Sequence, residues 1–205
     1  MRSDADLLEA WRNGDKQAGS ELFDRYFDAV HRFFRSKVDE GSEDLVQQTF
    51  LALVSHRDAL EKGSSFRTYL FVVARNKLYS HFRSRARRED KVDFGVTSVI
   101  DLGASPSKVV AGHQERTLLV QALRRVPLET QCLLEFYYVE RMTAPELAQV
   151  MNLPEGTIRS RLRRGLERLR KEMERIAENK EQLETTASDL DAWARALPRD
   201  EEPKA

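Results

Sequence analysis

The chain has 205 residues, a single cysteine, and 34 basic against 34 acidic side chains, which leave no formal net charge. That length fits one or two ordinary domains, and the lone Cys132 excludes an internal disulfide. No run approaches the roughly 18 apolar residues of a membrane span and the polar N-terminus lacks a signal-peptide core, so a soluble cytoplasmic protein is expected.

The even balance of charge conceals two basic blocks. Residues 67–91 carry 8 basic and 2 acidic side chains and residues 159–171 carry 7 and 1, while the segments around them are acidic. Two basic blocks separated by an acidic stretch suit two contact points on one polyanion, since neutralising phosphates is the sequence-independent part of DNA affinity.

Along the chain, apolar residues first recur at helical spacing: Leu7, Leu8 and Trp11, then Leu22, Phe23, Tyr26, Val30 and Phe33, then Val46, Phe50, Leu53 and Val54. Asn13-Gly14 and Gly41-Ser42 punctuate these three helices, and Lys62-Gly63-Ser64-Ser65 forms a loop before a fourth that carries Phe66, Leu70, Val73 and Leu78. A four-helix domain over residues 1–88 is expected. Residues 89–114, rich in glycine, serine and β-branched residues, break the periodicity and predict a flexible linker.

A second helical domain is expected over 115–173. Leu118, Leu119, Ala122 and Leu123 lead to Pro127, and Leu133, Leu134, Phe136 and Tyr137 follow; Cys132 in that run reads as a core residue. Thr143 and Glu146 make a capping box with Pro145 in the first turn, and a turn at Asn152, Leu153 and Pro154 separates that helix from another. Along the latter, Ile158, Leu162, Leu166, Leu169 and Met173 pack inward, leaving Arg159, Ser160, Arg163 and Arg164 on other faces near its start. That is the pattern of a helix-turn-helix whose second helix reads base edges in the major groove, with a solvated basic face as the plainer alternative. Gly156 and Thr157 offer free N–H groups to a phosphate. The acidic extension, 174–205, spaces Leu183, Ala187, Leu190, Ala194 and Leu197 as a short helix ended by Pro198. It is expected either to restrain DNA binding or to serve as a solubilising tail.

An enzyme is disfavoured. His31, His56, His81 and His113 are scattered, and neither metal-ligand spacing nor a phosphate-binding glycine loop occurs, so no metal or cofactor is expected.

Three motifs in order carry a family resemblance: Asp44-Leu45-Val46-Gln47-Gln48-Thr49-Phe50; Ser65-Phe66-Arg67-Thr68-Tyr69-Leu70 with Ala74-Arg75-Asn76; and Gly156-Thr157-Ile158-Arg159-Ser160-Arg161-Leu162. With them the chain resembles the bacterial extracytoplasmic-function sigma factors, which retain sigma regions 2 and 4. The resemblance implies an all-α protein of two small helical domains joined by a flexible linker, working as an alternative sigma subunit. It implies core RNA polymerase, through its β′ clamp and β flap, promoter DNA and an anti-sigma factor as partners. Asp44, Gln47 and Gln48 would meet the clamp. Lys62, Gly63, Ser64 and Ser65 would capture a flipped base of the −10 element, with Arg75, Asn76, Lys77 and Arg83 along the adjacent DNA. Thr157, Arg159, Ser160, Arg163 and Arg164 would face the −35 element, with Arg161 on a phosphate. Close backbone approach at Gly63, base-edge bonding by hydroxyls and bidentate pairing by Asn76 are chemically apt for those roles. Phe66, Tyr69 and Phe71 are candidates for stacking on single-stranded bases, with core packing the favoured reading for Phe66 and Tyr69. The rival reading is a two-domain regulator that binds duplex without polymerase, using residues 1–90 for ligand binding or dimerisation.

Overall fold

The computed structural model describes residues 2–57, 65–85, 92–103, 114–177 and 184. Among the described residues it contains eight α-helices and no strand: α1 Asp4–Arg12, α2 Lys16–Arg35, α3 Ser42–Ser55, α4 Phe66–Arg85, α5 Gln114–Arg125, α6 Leu128–Tyr138, α7 Ala144–Met151 and α8 Glu155–Ile176. No helix is long and apolar enough to cross a membrane among those residues. The helix expected near 183–197 lies outside the described residues.

Local chemistry starts each helix where its sequence permits. Asp15 caps α2 by accepting the N–H groups of Gln17 and Ala18 at 2.9 and 3.1 Å. These bonds favour the ionised carboxylate and, with Arg2 nearby, hold Asp15 below the usual carboxylate range. At α7 the Thr143 backbone N–H and hydroxyl both donate to Glu146 at 2.8 Å. That helix ends as the turn signal predicts, on Asn152 in the left-handed conformation (φ 54°).

The N-terminal unit, α1–α4, buries Leu7, Leu8, Trp11, Leu22, Phe34, Leu45, Val46, Leu53, Phe66, Leu70, Ala74 and Leu78. Among its described glycines the tightest site is Gly19, where an added Cβ would stand 2.6 Å from the Trp11 ring. Gly19→Leu is therefore expected to overpack the α1–α2 contact and lower stability by about 1–3 kcal/mol, measured by thermal denaturation. An unchanged midpoint would show that Trp11 can swing aside without loss.

The C-terminal unit, α5–α8, centres on Leu128, Cys132, Leu134, Leu147, Val150, Ile158, Leu169 and Met173. Cys132 is fully buried, and burial pushes its thiol up to about 12, as suits a core residue rather than a nucleophile.

Two features depart from a picture of separate domains on a loose tether. The Phe136 ring of α6 stacks on Phe33 of α2 at 5.0 Å between centroids and meets Phe71 of α4 edge-on at 5.2 Å, so one core runs through both units. The described part of the linker is docked: Leu128 and Glu129 donate backbone N–H bonds to the Thr97 and Phe94 carbonyls at 2.9 and 3.0 Å, and Ile100 donates to Arg124. Phe94 and Val99 are apolar residues buried by that docking, which composition alone does not reveal.

Candidate nucleic-acid interface

Helix α8 is 22 residues long and turns Ile158, Leu162, Gly165, Leu169 and Met173 toward the core. Gly165 lets it lie close on α6, since a Cβ there would stand 2.9 Å from the Thr130 methyl. With that row fixed, the helical period carries Ser160, Arg163, Arg164 and Lys171 outward. Arg159, Arg163 and Arg164 are exposed, while Thr157 and Ser160 are half-buried, the latter donating its hydroxyl to the Thr157 carbonyl at 2.9 Å. Arg164 steadies its own guanidinium by donating Nε–H to the Ser160 carbonyl at 3.3 Å. Arg161 is held differently: its guanidinium lies 2.6 Å from the Glu129 carboxylate on α6. An arginine so neutralised has less charge to offer a phosphate than its exposed neighbours.

The second basic element is α4. Asn76 is exposed and Lys77 half-buried. Arg75 sits over the Tyr79 ring at 5.4 Å, and Arg83 over the linker residue Phe94 at 5.2 Å. Ser65 uses its hydroxyl to accept the Thr68 N–H at 3.3 Å, capping α4. Lys62, Gly63 and Ser64 lie outside the described residues. Phe66 and Phe71 are buried, so a stacking platform built on them is not available; both fill the core, and Tyr69 is half-buried against it.

On α3, Asp44, Gln47 and Gln48 are all exposed. The sequence pattern placed Val54 on the inner face, but Leu51 and Val54 are 56% and 50% exposed, and Phe27 of α2, against Phe50 of α3, is 48% exposed. Phe27 stacks on Phe50 at 6.4 Å and on His31 at 5.9 Å. An amide and carboxylate row thus borders an uncovered apolar patch, a composition typical of a protein-docking face.

Family models place both basic elements: the sigma-70 region 2 model matches residues 22–88 and the sigma-70 region 4 model matches residues 116–169. Relatives with similar sequences bear the name of a more specific group. One is the ECF RNA polymerase sigma factor BldN of Streptomyces coelicolor, 27% identical over 76% of this chain and 60% of the relative. Another is the ECF RNA polymerase sigma-E factor of Haemophilus influenzae, 25% identical over 80% of this chain and 92% of the relative. The chain belongs to the extracytoplasmic-function sigma factors. It thus spans less than two thirds of the length of the first relative and nearly all of the second.

Solved structures agree on the sigma fold. The chain superimposes on CnrH, solved with the cytosolic domain of CnrY, with a TM-score of 0.64 at 22% identity, covering 85% of this chain and 99% of that one. For RpoE of Bartonella quintana, solved with the anti-sigma factor NepR, the TM-score is 0.59 at 22% identity, covering 78% and 98%. As a sigma factor the chain is a transcription initiation factor, a class without known catalysis. In sigma terms, α1–α4 contain region 2 and α5–α8 contain region 4. The features that sequence reading missed in this sigma factor are Phe27, Leu51 and Val54. The signal is partial: Leu51 lies off the inner stripe of Val46, Phe50 and Leu53, whereas the spacing groups Val54 with that stripe.

Proposed function

We propose that this sigma factor binds bacterial core RNA polymerase as a dissociable subunit and confers promoter-specific initiation. Region 4 grips the −35 element as duplex through Arg159, Ser160, Arg163 and Arg164, with Thr157 and Arg161 toward phosphates. Region 2 docks on the β′ clamp and opens the −10 element. In that second step a base leaves the stack, which costs on the order of a few kcal/mol. The segment Lys62-Gly63-Ser64-Ser65 supplies polar contacts to offset that cost, while Arg75, Asn76, Lys77 and Arg83 hold the adjacent strand. Region 4 would also meet the β flap. The two structural relatives were solved with CnrY and with an anti-sigma factor; an anti-sigma factor is accordingly a proposed partner here, and the cytoplasm the proposed compartment.

The observation that carries this reading over a self-sufficient regulator is the apolar patch of Phe27, Leu51 and Val54 beside Asp44, Gln47 and Gln48. A regulator acting alone has no need of an uncovered docking face on the unit that does not read duplex.

The same patch supplies the test. Leu51→Arg with Val54→Arg puts two charges into a contact that must be dry, and core-polymerase affinity should fall by at least tenfold while the thermal midpoint of the free chain stays within a few degrees. Undiminished binding of the double variant, measured by fluorescence anisotropy, would remove α3 from the polymerase contact.

A further inference from the structure

A cleft with two lobes opens between α8, the start of α6 and the docked linker. The first lobe, a cavity of about 210 Å³, is lined by Arg161, Arg164 and Arg168 of α8, by Glu129 and Thr130 of α6, and by Gly95 of the linker. The second, of about 310 Å³, is lined by Arg168 and Lys171 of α8, by Arg125 at the end of α5, and by the apolar Val96, Val126 and Pro127. Arg168 belongs to both, and the chain neighbours Gly95 and Val96 stand one in each, so the lobes adjoin. Arg161, Arg164, Arg168 and Lys171 follow one another in steps of three and four, which keeps them on one flank of the helix. Gly165 lies under that row and puts no side chain into the first lobe.

The first lobe sets three guanidiniums against one carboxylate, an excess of two positive charges. Glu129 is committed to Arg161 at 2.6 Å. Arg164 spends its Nε–H on the Ser160 carbonyl, and among the described residues neither it nor Arg168 has an acidic partner. Cations held this close repel one another, and an anion between them replaces repulsion with charge-assisted hydrogen bonds, which guanidiniums make bidentately to phosphate oxygens. A phosphomonoester carries close to two negative charges at neutral pH and matches the excess, whereas a diester carries one. The second lobe differs in chemistry. Val96 is 70% exposed and stands with Val126 and Pro127, while Arg125 keeps a buried Nε without a protein hydrogen-bond partner. Glu172, also in this lobe, is drawn to Arg175 at 3.1 Å. An apolar wall beside a donor suits a flat organic body with a polar edge.

We propose that this cleft binds a nucleoside monophosphate, with the phosphate seated among Arg161, Arg164 and Arg168 and the nucleoside laid against Val96 and Pro127. A backbone phosphate of DNA is the other source of the same group, and the charge excess favours the monoester. Arg168 has no part in the −35 contact proposed above, whereas Arg161 and Arg164 do. A bound monophosphate therefore draws two arginines away from the duplex, and the duplex in turn weakens the nucleotide, because coupling between sites is reciprocal. That coupling rests on the −35 reading of α8; the site itself does not.

Isothermal titration calorimetry on the full chain, without polymerase or DNA, tests the site. The probes are the four ribonucleoside 5′-monophosphates, their nucleosides, inorganic phosphate and 3′,5′-cyclic AMP, a diester with a single charge. At least one monophosphate should bind saturably, and about tenfold or more tighter than inorganic phosphate, its nucleoside or the cyclic diester. Arg168→Ala should weaken it by about tenfold or more while the thermal midpoint and −35 duplex affinity stay in place. Val96→Ser, at an exposed position, should weaken the monophosphate and spare inorganic phosphate. At constant ionic strength the monophosphate should also lower duplex affinity in the parent and not in Arg168→Ala, read by fluorescence anisotropy. No saturable binding by any of the four, or binding insensitive to Arg168→Ala, would overturn the site. Equal affinity for monophosphate and cyclic diester would overturn it in favour of DNA backbone phosphates. Monophosphate binding that leaves duplex affinity unchanged would overturn the coupling alone. Failure of the chain to bind core polymerase would remove the sigma mechanism and leave the calorimetric result standing.

Discussion

Glu135→Leu should lower stability by about 3–5 kcal/mol, the loss expected when one partner of a buried ion pair is removed. Lys37 is fully buried, its ammonium lying 3.9 Å from the centre of the Phe33 ring. Without Glu135 it retains only the Phe33 carbonyl at 2.8 Å and the Ser36 hydroxyl at 2.9 Å, two neutral acceptors for a full charge. The loss falls on the contact between the units, because Lys37 ends the α2 side of it and Glu135 lies on α6. Lys37→Met together with Glu135→Leu should recover most of the loss, since a well-packed apolar pair replaces both charges and leaves neither stranded. Urea denaturation of the parent, the single variant and the double variant measures this. A single-variant loss below about 1 kcal/mol would mean the pair behaves as an exposed one.

Arg163→Ala with Arg164→Ala should weaken binding to the cognate −35 duplex by about 1–3 kcal/mol for each side chain that reaches a base edge, roughly tenfold or more apiece. Discrimination against altered −35 sequences should relax as well, because contacts to base edges carry the specificity. Arg161→Ala is expected to do less. Its guanidinium is already 2.6 Å from Glu129, so its removal takes away a charge that is partly neutralised in the free chain. Equal losses for Arg161→Ala and for the double variant, compared over a salt series, would reverse this assignment.

Most of the fold is legible in the sequence because helices announce themselves by period. The apolar spacing from Leu7 to Leu78 corresponds to α1–α4, and the Thr143–Glu146 box and the Asn152 turn bound α7 as expected. Periodicity marks a buried stripe but does not say what covers it. Phe33 and Phe136 are readable as core residues and Phe71 reads as a stacking candidate, yet the structure joins all three in one cluster across the two units. The docking of residues 92–103 was equally hidden, since it is made by backbone hydrogen bonds that glycine- and serine-rich composition does not disclose.

At the interface, the exposed face of α8 follows from the helical period and that of α3 only in part, since Val54 reads as inward; the states of the arginines do not follow from it. Arg75, Arg83 and Arg161 look alike in a basic block. In the structure one lies on Tyr79, one on Phe94 and one against Glu129. Charge counting locates the basic blocks; tertiary packing decides which charges are available.

The proposed role of this chain is to give bacterial core RNA polymerase its promoter choice. The most direct test mixes the purified chain with core enzyme and measures transcription from a library of randomised −35 and −10 elements. Initiation should depend on the chain and be enriched for one pair of elements, with the −35 preference lost in Arg163→Ala with Arg164→Ala. No core binding, together with tight duplex binding by the free chain, would contradict it.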